Sequence, residues 1–87
     1  MQSATIYTAR FCPYCEAAKS LLRVQGIPFA EIDISGNWET RDEMITRSNG
    51  QTTVPQIFIG DRHIGNLNDL KALQESGALR GHSDPVL

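Results

Sequence analysis

Apolar and polar residues alternate from Ala4 to Thr8, and Thr5-Ile6-Tyr7-Thr8 is β-branched and aromatic, which predicts a first strand. From Cys12 the period changes. Ala18, Leu21, Leu22 and Val24 recur at helical spacing as far as Gly26, a residue suited to a helix stop. That helix is expected to carry Lys19 and Arg23 on its outer side. Ile27 to Ile34 follows, with Pro28 at its start and Phe29, Ile32 and Ile34 set around Glu31 and Asp33, a second strand. A strand–helix–strand order with short joins predicts a right-handed crossover and parallel pairing.

Ser35-Gly36-Asn37 reads as a turn and N-cap for a helix from about Trp38 to Arg47, with Glu39 in its first turn. Met44 and Ile45 are its expected core contacts, and Trp38 is assigned to covering a thin core rather than to a binding face. Asn49-Gly50 ends the helix. Gln56-Ile57-Phe58-Ile59 predicts a third strand, and Gly60-Asp61 turns it into Arg62-His63-Ile64, a fourth. His63 is expected at the surface or sheet edge, not in catalysis. Asn66 then caps a last helix with Leu67, Leu70 and Leu73 at helical spacing. Gly77 closes it, or Leu79 extends the packing. Residues 81–87 read as a loose tail. The order β-α-β-α-β-β-α makes this an α/β chain.

At 87 residues the chain is expected to form one domain spanning 1–87. A domain of this size buries only about 60–65 % of the surface its unfolded chain exposes. Its formal charge of -2 and pI ≈ 5.5 argue against nucleic acid or an anionic membrane as the main partner. No stretch has the pattern of a signal peptide or a bilayer span. The two cysteines lie close together and are not the disulfide framework of a small secreted domain. A cytoplasmic location follows, with a cysteine pair that cycles instead of stapling. No apolar stripe is left over, so a monomer is expected.

The chemistry sits in Phe11-Cys12-Pro13-Tyr14-Cys15, where the strand pattern gives way to the helical one. A helix starting here places the Cys12 sulfur over unpaired backbone N–H groups and the positive end of the helix dipole. Both favour a thiolate, and such sites lower cysteine pKa values to roughly 3.5–7.5. Pro13 suits the first helical position, where its missing N–H has no intrahelical partner. Arg10 adds a nearby positive charge. Cys12 is therefore read as the nucleophile and Cys15 as its resolving partner. Half of a zinc site is the competing reading. Structural zinc takes four ligands, and the other candidates of the usual kind, His63 and His82, have no zinc-finger spacing. Two inert buried cysteines fit less well still, because Pro-Tyr between them presents a turn and an aromatic.

Cys12-Pro13-Tyr14-Cys15 after strand one and Thr53-Val54-Pro55-Gln56 into strand three resemble the glutaredoxins, small proteins of the thioredoxin-like fold. Over nearly its whole length the chain is most similar to the short bacterial dithiol class, of the glutaredoxin 3 type. Ile6-Tyr7-Thr8, Arg41-Asp42-Glu43-Met44 and Thr52 to Ile59 carry that likeness. The resemblance implies a four-stranded mixed sheet flanked by helices and glutathione as co-substrate, with no tightly bound cofactor. It implies a cis bond before Pro55 that turns the Val54 backbone toward the active cysteine, to pair with the cysteine backbone of glutathione. The bland alternative is that Pro55 only starts an edge strand. Tyr14, Thr53, Val54 and Pro55 are thus expected to bind glutathione. Where the family usually has a lysine three residues before the first cysteine this chain has Ala9, which leaves Arg10 or Arg41 to supply the charge. Where the family typically has Gly-Gly-x-Asp-Asp this chain reads Gly65-Asn66-Leu67-Asn68-Asp69, so Asn68 replaces an acid beside Asp69, and the resemblance implies that these two bind the γ-glutamyl end of glutathione at the helix start.

The function implied is glutathione-dependent reduction of protein–glutathione mixed disulfides and protein disulfides. The remaining partners would be glutathionylated or disulfide-containing client proteins, including a ribonucleotide reductase. Two alternatives accompany it. One is a redoxin serving ribonucleotide reductase from thioredoxin reductase. The other is an iron–sulfur carrier in which two chains share a cluster through Cys12 and two glutathiones, a reading that Pro13 disfavours.

Overall fold

The computed structural model describes residues 3–77, so Leu79 and the segment 81–87 lie outside the described residues. Four strands and three helices follow in the expected order. They are β1 Ala4–Thr8, α1 Pro13–Val24, β2 Phe29–Asp33, α2 Trp38–Arg47, β3 Gln56–Ile59, β4 Arg62–Gly65 and α3 Leu67–Glu75. The sheet order is β2-β1-β3-β4, with β1 parallel to β2 and antiparallel to β3, and β3 antiparallel to β4. This mixed sheet with helices is a thioredoxin-like α/β fold.

Alternation along β1 divides the core between two faces. Ala4 and Ile6 join Ala18 and Leu22 of α1, Ile57 of β3, and Leu67 and Leu70 of α3 in one cluster. Tyr7 points the other way, to Met44 of α2, Phe58 and Ile34. The Tyr7 hydroxyl donates to the Glu43 carboxylate and accepts from the Arg47 guanidinium at 2.8 Å, tying α2 to the sheet. Helix ends follow their sequence signals. Asn37 caps α2, and its side chain accepts from the N–H groups of Glu39 and Thr40, both at 3.1 Å. Helix α1 closes in a Schellman turn, with Ile27 N–H donating to Leu22 at 2.9 Å and Gly26 N–H to Arg23 at 3.0 Å. Gly26 holds φ at 73°, the left-handed conformation the turn requires.

Three expectations are corrected. Lys19 is not on the outer side of α1; it is 8 % exposed, its ammonium 2.8 Å from Glu16 and 3.1 Å from Glu31. The residue lies beside Cys15 and Leu22 on the helix wheel, where a long apolar stem can be covered while its ammonium is paired. Val24 is 78 % exposed, because it lies about 200° around the helix from Leu22, off the Cys15–Ala18–Leu22 stripe. Trp38 is 75 % exposed and does not cover the core, since it opens α2 and Met44 fills the interior two turns later. His63 lies on the edge strand as expected, half-buried against Phe58 with ring centroids 4.9 Å apart.

Candidate active site

Strand β1 ends at Thr8, and the chain then reverses through Phe11, held at φ 56° with its side chain 99 % exposed. A positive φ is unusual for an aromatic residue. It delivers Cys12 in extended geometry, φ -114° and ψ 99°, as the N-cap of α1, with Pro13 as the first helical residue. The Cys12 sulfur accepts the Cys15 N–H at 3.2 Å. It is thus a capping acceptor at the positive end of a twelve-residue helix. Cys15, one turn in, is 1 % exposed, and both cysteines are free. Burial pushes the Cys15 thiol up to about 12, and its hydrogen bond with Cys12 adds to this. The Ala9 backbone and the charge of Lys19 act in the opposite sense. An accessible sulfur at a helix start, backed by a buried thiol, can form a mixed disulfide with a substrate and then close an internal disulfide.

Beside this pair lies a cleft of about 390 Å³ lined by Tyr14, Thr53, Val54, Pro55, Asn66, Leu67 and Asn68. The Val54–Pro55 bond is cis. The loop is held from beneath. The buried Gln56 donates to the Thr53 carbonyl at 3.0 Å, and its amide oxygen lies 2.7 Å from His63 Nε2. On the opposite wall Asn66 and Asp69 form a reciprocal capping box, each side chain accepting the other's backbone N–H at 3.0 Å. Gly65 feeds that cap at φ 120°, and a Cβ there would collide with the Asp69 carboxylate.

Of the residues expected to form the site, the cleft brings together Tyr14, Thr53, Val54, Pro55 and Asn68. Asp69 faces elsewhere: its carboxylate is taken by the Asn66 N–H, and it lines a hollow with Arg62 and His63. Arg41 lines a different cavity, with Trp38, Ile34, Gly36 and Asn37. Arg10 is exposed after β1, its N–H donating to Ser35 at 2.8 Å, and its charge acts on Asp33. The Asp33 carboxyl is held below its ordinary value by hydrogen bonds from Ser35 first, then by Arg10. Gln56, His63 and Lys19 had no assigned role. For Gln56 the signal was there, a polar residue opening an otherwise apolar strand.

Residues 4–64 match the family model described as Glutaredoxin. The chain belongs to the glutaredoxin family. It is 52 % identical over 87 residues to "Glutaredoxin 3" of Escherichia coli (strain K12), covering 100 % of this chain and 99 % of that protein. The solution structure of a glutaredoxin from Brucella melitensis superposes with a TM-score of 0.80 at 48 % identity, over 93 % of this chain and 87 % of that one. A buckwheat glutaredoxin solved in complex with glutathione shares the fold, with a TM-score of 0.77 at 24 % identity, over 90 % of this chain and 73 % of that one. As a glutaredoxin the chain is a thiol–disulfide oxidoreductase. Among the described residues no helix is long and apolar enough to cross a membrane.

Proposed function

We propose that this glutaredoxin uses glutathione, and that the cleft between the Thr53–Pro55 loop and the start of α3 is where the tripeptide lies. The carrying observation is that Val54 and the first turn of α3 converge on one cleft with Tyr14, the residue between Pro13 and Cys15 in the cysteine motif. Glutathione carries a carboxylate at each end and a thiol at its centre. The N–H groups of Leu67 and Asn68 open α3 without intrahelical acceptors and suit the γ-glutamyl carboxylate. The Val54 backbone suits strand-like pairing with the central cysteine. Arg10 is the cation placed closer in sequence to Cys12 for the other carboxylate; Arg41 lines a separate cavity.

In this reading the Cys12 thiolate attacks the glutathione sulfur of a protein–glutathione mixed disulfide. A Cys12–glutathione disulfide forms, the sulfur–sulfur bond between glutathione and the protein breaks, and the protein thiolate leaves to take a proton from water. A second glutathione, as thiolate, attacks the glutathione sulfur on Cys12, which frees Cys12 and yields oxidised glutathione. For a disulfide within a client, Cys12 forms the mixed disulfide and Cys15 resolves it. The buried Cys15 suits that role, because it reaches a sulfur already joined to Cys12 and little else.

A coupled assay with a small glutathione mixed disulfide tests this, run beside the same protein with thioredoxin reductase as electron source. Turnover that depends on glutathione and glutathione reductase is the expected result. Turnover with thioredoxin reductase alone would move the protein to the thioredoxin-reductase-linked reading and remove glutathione as its reductant.

A further inference from the structure

Lys19 is the buried charged group that the exchange steps above leave unused. It lies four residues after Cys15 on α1, so the two side chains are neighbours one turn apart. At 8 % exposure the residue is largely covered along its stem. It is held 2.8 Å from Glu16 and 3.1 Å from both carboxylate oxygens of Glu31. Glu31 is fixed in turn by the Thr8 hydroxyl, which donates to it at 2.7 Å. Thr8 ends β1, and the next residue, Ala9, presents its backbone to the Cys15 sulfur. The cluster thus links α1, β1 and β2 directly behind the buried thiol.

We propose that Lys19 is a positioning residue for the resolving step: its ammonium, pinned by Glu31 and Glu16 one turn from Cys15, stabilises the Cys15 thiolate as it attacks the sulfur of Cys12. The argument starts from what Cys15 must do. Its thiol has to lose a proton inside the protein, where desolvation disfavours the anion. While Cys12 is free, its own sulfur opposes a second negative charge nearby. Once Cys12 is tied in a mixed disulfide that opposition disappears, and the surrounding charges decide. On α1 these are Glu16 and Lys19, on β2 Glu31 and Asp33, and in the loop after β1 Arg10; on α3 the Asp69 carboxylate is occupied at its own cap. Glu16 and Asp33 are exposed and Arg10 lies at the surface, so water screens all three. Lys19 is the cation of the group whose stem packs on the same face of α1 as Cys15, one turn away, and its bonds to Glu16 and Glu31 hold its charge on that side of the thiol. Glu31 orients it while offsetting part of its charge.

The inference rests on Cys15 being the resolving thiol, and the test reports on both separately. Reduced protein is mixed with an aromatic disulfide whose released thiolate is coloured. Cys12 attacks first, releasing one aryl thiolate in a phase that depends on reagent concentration. Cys15, as thiolate, then attacks Cys12. The Cys12–aryl disulfide breaks, the Cys12–Cys15 disulfide forms, a proton passes to solvent and a second aryl thiolate leaves in a concentration-independent phase. That second phase must vanish in Cys15→Ser; if it persists, the resolving role itself is wrong. In Lys19→Met the second phase should be about tenfold slower near neutral pH, the equivalent of one pH unit of thiolate availability, and the gap should close as pH rises. Glu31→Gln removes an offsetting negative charge and should speed the same phase severalfold, which decides the matter if Lys19→Met does not fold. An unchanged second phase in Lys19→Met, a slowing equal at every pH, or no acceleration in Glu31→Gln would overturn the role of Lys19 and leave the glutathione reading untouched.

Discussion

The Gln56 side chain donates a hydrogen bond to the carbonyl of Thr53 at 3.0 Å, from a strand position buried in the sheet. The wall of the cleft is therefore fixed by a side chain that does not line it. His63, against the Gln56 amide oxygen, fixes which way that amide points.

Replacing Gln56 with Leu keeps the size and removes the bond. The protein should stay folded but lose about 0.5–1.5 kcal/mol, the net worth of a hydrogen bond whose acceptor, on the exposed Thr53, water can reach. Because the loss falls on a binding loop, KM for a glutathione mixed disulfide should rise severalfold with a smaller change in kcat. Urea unfolding and steady-state kinetics on one preparation check this. An unchanged KM would mean that the loop is held by other contacts.

Cys15 is buried and its thiol is pushed up to about 12, whereas an unfolded cysteine titrates near 8.5. Alkylation of the reduced protein at mildly acidic pH, followed by peptide mapping, should therefore find Cys12 labelled and Cys15 spared. Linkage gives a second readout. Between about 8.5 and 12 the folded state binds more protons at this site than the unfolded state does, so stability falls as pH rises. Tyr7, raised by burial, and Lys19, raised by its bonds to Glu16 and Glu31, push the same way. The alkaline decline in the urea midpoint should thus be steeper for reduced wild type than for Cys15→Ala. Parallel declines would contradict the raised thiol.

Removal of a glutathione adduct needs Cys12 alone, because a second glutathione replaces the resolving thiol. Cys15→Ser should retain deglutathionylation but lose most activity toward an oxidised dithiol protein, and Cys12→Ser should lose both. A folded Cys15→Ser protein inactive on the adduct would show that every turnover passes through the internal disulfide.

Gly65→Ala is expected to be costly. The φ of 120° alone is worth about 1–3 kcal/mol for a residue with a Cβ, and that Cβ also strikes the Asp69 carboxylate that completes the cap. Melting should fall by several degrees. Activity on a glutathione mixed disulfide should fall as well, because the opening turn of α3 is a wall of the cleft. A variant as stable as wild type would mean that the cap rearranges freely.

Sequence alone determined the order of the elements and most of their ends. Those follow from local rules: the period of the side chains, the capping preference of Asn37 and Asn66, and the left-handed turn at Gly26. The paired cysteines at a helix start were legible for the same reason, since their chemistry depends on residues four apart at most. Tertiary structure decided the rest. Periodicity along α1 suggested an outward Lys19, and only β2, brought alongside in parallel, supplied the Glu31 that pairs with its ammonium while its stem is covered. Asn68 and Thr53 became neighbours of Tyr14 through the docking of α3 and the turn before β3. Arg41 and Asp69 were left to other surfaces by the same docking. Charge and hydrogen bonding act through space, and a sequence gives the distance between residues only along the chain.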